Sequence, residues 1–191
     1  VQVAILNWEW GSYLGDEGMN KGARIKVSSY VRPHVNSIMT KGKLTGQYIT
    51  GVLAKREAVS HGYDEAILLD VDGYVSEGSG ENVFIIRYGE IITTPLTSIL
   101  GGITRRTVIQ HLESQGHRVK EQRFTRDTLI CADEVFMCGT AAEITPIREI
   151  DGRPIGEGKP GPISSKLQKE YLAMVRGDLP PYGKEWLTPI S

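Results

Sequence analysis

Few features that would announce a specialised protein are present in this chain. No apolar run approaches the roughly 20 residues that a membrane-spanning helix needs. Neither sign of charge prevails. The 22 Lys and Arg against 23 Asp and Glu leave a formal charge of −1, which gives no support to a nucleic-acid or anionic-membrane partner. Cysteine is scarce: Cys131 and Cys138 are the 2 present, too few for a disulfide framework or a zinc cluster, and Cys-x6-Cys matches no common ligand spacing. Both read as plain core thiols, and they fit a reduced, cytoplasmic setting. His34, His61, His111 and His117 have no cluster spacing, so surface or helix-end roles are expected rather than metal ligation. No internal repeat or low-complexity tract appears, and no basic region or cleavage site marks the opening as a signal peptide.

What is there is ordinary globular material. The 191 residues, 40% hydrophobic and 24% charged, suffice for one large domain or a domain and a half. The opening "VQVAIL" reads as a strand. A strand needs neighbours and none precedes it, so the first residues are expected to finish a further domain. "NWEWGSYLGDEGMNKG", Asn7 to Gly22, carries 4 glycines without a steady period and reads as a long loop. "ARIKVSSYV" is strand-like up to Arg32-Pro33. From Thr45 to Ser60 a helical stripe of Tyr48, Ile49, Val52 and Leu53 is ended by Gly62.

Hairpin signals follow. "EAILLD" is a compact apolar strand, "VDGYV" carries an Asp-Gly turn, and "NVFIIRYGEIITT" predicts another hairpin. "GITRRTVIQHLESQG" predicts a helix with Thr104 as N-cap and Gly116 as stop. "HRVKEQRF" reads as a strand, "TRDTLICAD" as a short helix capped by Thr125, and "EVFMCG" as a strand running into the loop "GTAAEITP". "PISSKLQKEYLAMVRG" predicts a helix with Leu167, Tyr171, Leu172 and Val175 facing inward, and the tail is expected to pack through Tyr182 and Trp186. Short strands mixed with helices argue for a mixed α/β domain with much antiparallel pairing.

Three loops hold small residues where a ligand could approach the backbone. "SEGSGEN", Ser76 to Asn82, lacks the third glycine and the following helix of a dinucleotide fingerprint. It is either a glycine-rich turn with exposed acids or a close backbone approach with Glu77 aimed at a flat ligand. "LGGITR" puts Gly101-Gly102 before a helix, so the amides of Ile103 and Thr104 would favour a phosphate; a simple helix entry would read the same. "CGTAAEITP" offers the amides of Gly139 to Ala142 and the Thr140 hydroxyl to an oxyanion, or is an ordinary turn. "MTKGKLTGQY" adds Lys41 and Lys43, and lysine is the usual nucleophile for holding a carbonyl compound as a Schiff base. A phosphate cradle, an acid for a ring nitrogen and a lysine are what pyridoxal 5'-phosphate requires.

"KLTGQY", "YVSEGSGENVF", "GGITR" and "ADEVFMCGTAAEITPI", in that order, resemble the fold-type IV pyridoxal-phosphate enzymes, and more narrowly the branched-chain amino acid aminotransferases. The resemblance covers nearly the whole chain. It implies an antiparallel-rich pseudo-barrel with surrounding helices, the large domain of the D-amino acid aminotransferase-like fold. Residues 1–8 would then be the last strand of a small domain, 9–22 the interdomain loop, and 23–191 the cofactor-binding domain. The family's lysine lies five positions before a cofactor-contacting tyrosine, a spacing that Lys43 and Tyr48 fit; Lys41 is then a solvated neighbour.

The resemblance further implies that Glu77 pairs with the pyridine nitrogen and Tyr48 with the phenolic oxygen of the ring. Ile103, Thr104 and Thr140 would take the phosphate. Thr140 and Ala141 would hold the substrate carboxylate, with Trp10 and Tyr13 bordering the side-chain pocket. The implied reaction is ping-pong transamination of Leu, Ile and Val with 2-oxoglutarate, Lys43 moving the proton, in a homodimer or larger homo-oligomer. An N-terminal domain would supply a phosphate-binding arginine, so these residues alone are expected to be inactive. The redox Cys-x-x-Cys of some animal relatives is expected to be absent. D-amino acid aminotransferase, aminodeoxychorismate lyase and a non-catalytic cofactor-binding fragment are the alternatives.

Overall fold

The computed structural model describes residues 1–9, 11, 13–179 and 186–189. Its elements are α1 (Gly15–Lys21), β1 (Ala23–Val31), a 3-10 turn (Thr45–Gln47) leading into α2 (Tyr48–Ser60), β2 (Glu65–Leu69), β3 (Val75–Gly78), β4 (Asn82–Arg87) and β5 (Glu90–Thr93). They continue with α3 (Ile103–Ser114), β6 (Val119–Glu121), α4 (Arg126–Ile130), β7 (Glu134–Gly139), β8 (Glu143–Ile150), β9 (Arg153–Pro154) and α5 (Pro162–Arg176).

The strands form one sheet in the order β3-β2-β1-β8-β7-β4-β5-β6, with β9 added on β8. β1 runs parallel to β2 and β8, and β5 runs parallel to β6. The other five pairings, β2–β3, β4–β5, β4–β7, β7–β8 and β8–β9, are antiparallel. The sheet curls until β3 abuts β4 across a tight turn, where the Gly78 amide donates to the Glu81 carbonyl at 2.7 Å. This is the antiparallel-rich half-barrel with flanking helices that the resemblance implies.

Strand alternation divides the core between the two faces of the sheet. Val83 and Ile85 of β4, with Val135 and Met137 of β7, fill the inside of the curl beside Ile25, Ile67 and Ile147. Their neighbours Phe84, Ile86, Phe136 and Cys138 point outward under α3 and α5. Phe84 and Phe136 stack there with centroids 4.8 Å apart, in a layer closed by Val108, Leu112, Leu167 and Tyr171. Both hairpins form as expected. The second turns through Tyr88 and Gly89, both at positive φ.

Several expectations are corrected. "VQVAIL" forms no strand, because no described strand lies beside it to complete a ladder. The long loop contains α1, whose helical signal its glycines obscured; Lys21 and Glu17 pair across one turn at 3.4 Å. The stripe of α2 faces outward, with Ile49 and Val52 exposed. Gly51, Ala54 and Ala58 pack inward instead. A Cβ on Gly51 would collide with the Ser79 carbonyl oxygen, so only a residue without a side chain permits that approach.

The N-cap of α3 is Gly102, not Thr104, and the loop after β7 is a tight turn that re-enters the sheet at Glu143. Met174 rather than Val175 faces inward on α5, Cys131 is exposed, and the "HRVKEQRF" strand shrinks to β6. Tyr182 lies outside the described residues, and Trp186 is exposed. No helix among the described residues is long and apolar enough to cross a membrane.

Candidate active site

Where β3 and β7 end and β4 and α3 begin, a cavity of about 290 Å³ opens. Lys43, Tyr48, Glu77, Ile103, Thr104 and Thr140, all anticipated from the sequence, line it together. A second cavity of about 280 Å³ adjoins it, walled by Tyr13, Lys55, Arg56, Ala141 and Ala142, and shares Tyr48, Ser79, Gly80 and Glu81 with the first. Tyr13 and Ala141 therefore stand in the second cavity; Trp10 lies outside the described residues.

Lys43 follows the turn after Thr40 and is exposed; among the described residues no hydrogen bond or ion pair engages its ammonium. Lys41 is differently placed. It is exposed, as expected of a solvated neighbour, but its ammonium also donates to the carbonyls of Leu96 and Ile99, the latter at 3.0 Å, and so ties down the loop before α3. Two lysines one residue apart thus differ in kind, one clamped and one free.

Glu77 is buried, contrary to the reading of "SEGSGEN" as a turn with exposed acids. Its carboxylate meets the buried Arg32 guanidinium at 2.7 Å and accepts from the Leu100 amide at 3.2 Å. Burial pushes its pKa up to about 7, against the opposing pull of Arg32, the Leu100 amide and Lys41. The ion pair favours the carboxylate and the loss of water opposes it, so Glu77 titrates near neutrality. Asn82 donates to the Leu100 carbonyl at 2.9 Å and fixes the approach to α3.

The start of α3 is bare. Gly102 caps it with no side-chain hydrogen bond, and a Cβ there would collide with Asn82 Oδ1. Amides at such an end favour an anion, and Ile103 and Thr104 line the cavity at this point.

The second cavity has its own network. Tyr13 donates to Glu65 Oε2 at 3.2 Å, and Lys55 donates to the same oxygen at 2.8 Å while lying 5.0 Å from the Tyr13 ring centroid. Burial, with Glu65 and Glu81 nearby, holds the Tyr13 phenol well above its ordinary range. Glu81, also buried, has its pKa pushed up to about 8, by burial first and then by the charge of Glu65. Arg32, Lys55, Glu65 and Glu81 were not singled out from the sequence. Glu81 was in view within the quoted motif; Arg32 and Lys55 carried no local signal.

The pieces fit a flat phosphorylated aldehyde. One cavity of suitable size presents a lysine free to react, a buried acid near neutrality, and an uncapped helix start for an anion. Among the described residues no group of three or more His, Cys, Asp or Glu could hold a metal.

A family model described as amino-transferase class IV matches residues 1–150. The chain is 50% identical over 191 residues to a branched-chain-amino-acid aminotransferase of Pseudomonas aeruginosa, covering all of this chain and 62% of that protein. A crystal structure of a T.th. branched-chain amino acid aminotransferase with pyridoxamine 5'-phosphate superposes with a TM-score of 0.90 at 51% identity, covering 95% of this chain and 59% of that one. The same T.th. enzyme complexed with 4-methylvaleric acid gives a TM-score of 0.88 at 48% identity, covering 95% and 58%. The chain spans about three fifths of the length of these relatives.

Proposed function

The chain belongs to the class IV amino-transferases, and from that premise we propose that the whole protein transaminates branched-chain L-amino acids with 2-oxoglutarate, through pyridoxal 5'-phosphate held on Lys43. The observation that carries this is the convergence of Lys43, Glu77 and the open start of α3 on one cavity. The cofactor, when bound, supplies an electron sink for the carbanion formed at the amino acid Cα.

Each residue then has a task. Lys43 would hold the cofactor, and its amine would carry the Cα proton, alternating between base and acid across the proposed ping-pong cycle. Glu77 as a carboxylate holds a proton on the pyridine nitrogen; at an effective dielectric near 20 such a contact is worth roughly 4 kcal/mol, enough to set its protonation. Arg32 fixes that carboxylate from behind. Tyr48 would bond the phenolic oxygen, and the Ile103 and Thr104 amides with the Thr140 hydroxyl would receive the phosphate. The Thr140 and Ala141 amides hold the substrate carboxylate, and Tyr13 with Trp10 borders the side-chain pocket.

In the whole protein residues 1–8, which form no strand here, would complete a sheet in a small domain, 9–22 would link the domains, and 23–191 would bind the cofactor. Exposed Val3, Ile5 and Leu6 support cover from outside these residues. The protein works as a homodimer or larger homo-oligomer in the cytoplasm. Incubating the whole protein with 2-oxoglutarate and either L-leucine or D-alanine tests the activity. Glutamate formed with L-leucine alone is expected; glutamate formed with D-alanine and not L-leucine overturns the assignment.

A further inference from the structure

We propose that Glu81 is a proton-operated gate for carboxylate ligands: neutral, it admits an anion to the cavities it borders, and ionised, it expels that anion. The inference rests on the reading above that these cavities take amino and 2-oxo acids.

Glu81 is 4% exposed yet lines both cavities. Its side chain is seated in a slot left by two glycines. A Cβ on Gly78 would lie 2.5 Å from its Oε2, and one on Gly139 would lie 3.8 Å from its Cγ. Oε2 accepts from the Gly80 amide at 3.0 Å, so the acid folds back beneath its own turn. The slot places it against the start of the Gly139–Ala141 turn, where the substrate carboxylate is proposed to sit.

The buried acids beside Glu81, Glu65 and Glu77, each have a cation of their own, and the other cations that line the cavities, Lys41, Lys43 and Arg56, are exposed to solvent. Lys55 on α2 is matched by Glu65 on β2 at 2.8 Å, and Glu77 on β3 by Arg32 at 2.7 Å. Cys138 on β7 is kept a neutral thiol by burial, and Tyr13, ahead of α1, a neutral phenol. Among the described residues no cation forms an ion pair with Glu81. Ionising it would therefore add a buried negative charge, with no ion-pair partner among the described residues, to the wall between the cavities. An entering carboxylate meets a hydrogen-bonding neutral acid in one state and a like charge in the other.

The test is calorimetric titration of the cofactor-loaded whole protein with 4-methylvalerate. The wild type should lose about tenfold or more in affinity between about pH 7 and about pH 9.5, and Glu81→Gln should lose clearly less. An unchanged wild-type affinity, or an equal loss in Glu81→Gln, overturns the gate. Failure of the wild type to bind at any pH overturns the reading of the site itself. Should Glu81→Gln fail to fold, infrared difference spectra of the wild type decide. A buried protonated-carboxyl band that disappears over the same range is expected, and its absence at the lower pH refutes the gate.

Discussion

Two buried carboxyls a few positions apart, Glu77 and Glu81, are handled oppositely by their neighbours. Glu77 has a guanidinium at 2.7 Å; Glu81, among the described residues, has an amide of its own turn at 3.0 Å and no ion-pair partner. Replacing Arg32 by Gln should therefore raise the pH at which Glu77 becomes a carboxylate. Cofactor affinity near neutrality should fall by about tenfold and partly recover at higher pH, as read by equilibrium dialysis; affinity unchanged at every pH would dismiss Arg32 as a positioning residue.

Glu81 makes a separate prediction about stability. Its folded pKa of about 8 lies above the ordinary 4.5, so the folded chain binds this proton more tightly than the unfolded chain. The contribution is fully present below about pH 4.5 and is lost as pH rises toward and through about 8. Glu81→Gln, which has no charge to bury, should escape that loss. Its advantage over the wild type in urea denaturation should grow as pH rises from about 4.5 to beyond about 8. An advantage independent of pH would contradict the assignment.

Among the elements, α5 depends on a distant acid for its start. Glu134, at the first position of β7, accepts from the Ile163 amide at 3.0 Å and from the Ser164 amide and hydroxyl at 2.8 and 2.7 Å. Glu134→Ala should cost about 1–3 kcal/mol of stability, with the active-site cavities unaffected, measured by chemical denaturation alongside cofactor retention. Gly51→Ala should do the reverse. Pushing α2 off the Ser79 carbonyl disturbs the wall shared by the two cavities, so cofactor retention should suffer more than melting temperature.

The same elements explain what was legible in the sequence. The Tyr88–Gly89 hairpin and the stop at Gly116 were readable because a turn is decided by a few adjacent residues. The inward face of α2 was not, since Gly51, Ala54 and Ala58 carry no hydrophobic stripe and gain their role from the close approach of the Ser79 loop and of Ala66 and Leu68 on β2. Lys43, Glu77, Thr104 and Thr140 were found through motifs. Arg32 went unrecognised because its partner, Glu77, is far along the chain, on β3, which comes near the end of β1 only through their shared neighbour β2.

For the whole molecule, the central claim is that one free lysine at the mouth of one cavity anchors the cofactor, in a protein of which these residues are about three fifths by comparison with its relatives. The outward apolar face of α2 and the exposed Val3, Ile5 and Leu6 would be covered in the complete assembly. The 191 residues alone should accordingly turn over L-leucine at well under a tenth of the whole protein's rate. The most direct measurement is borohydride reduction of the whole protein loaded with pyridoxal 5'-phosphate, followed by peptide mass spectrometry. A pyridoxyl adduct on Lys43, lost in Lys43→Ala, is the result predicted; an adduct on Lys41, or on any other lysine in preference to Lys43, would contradict the account.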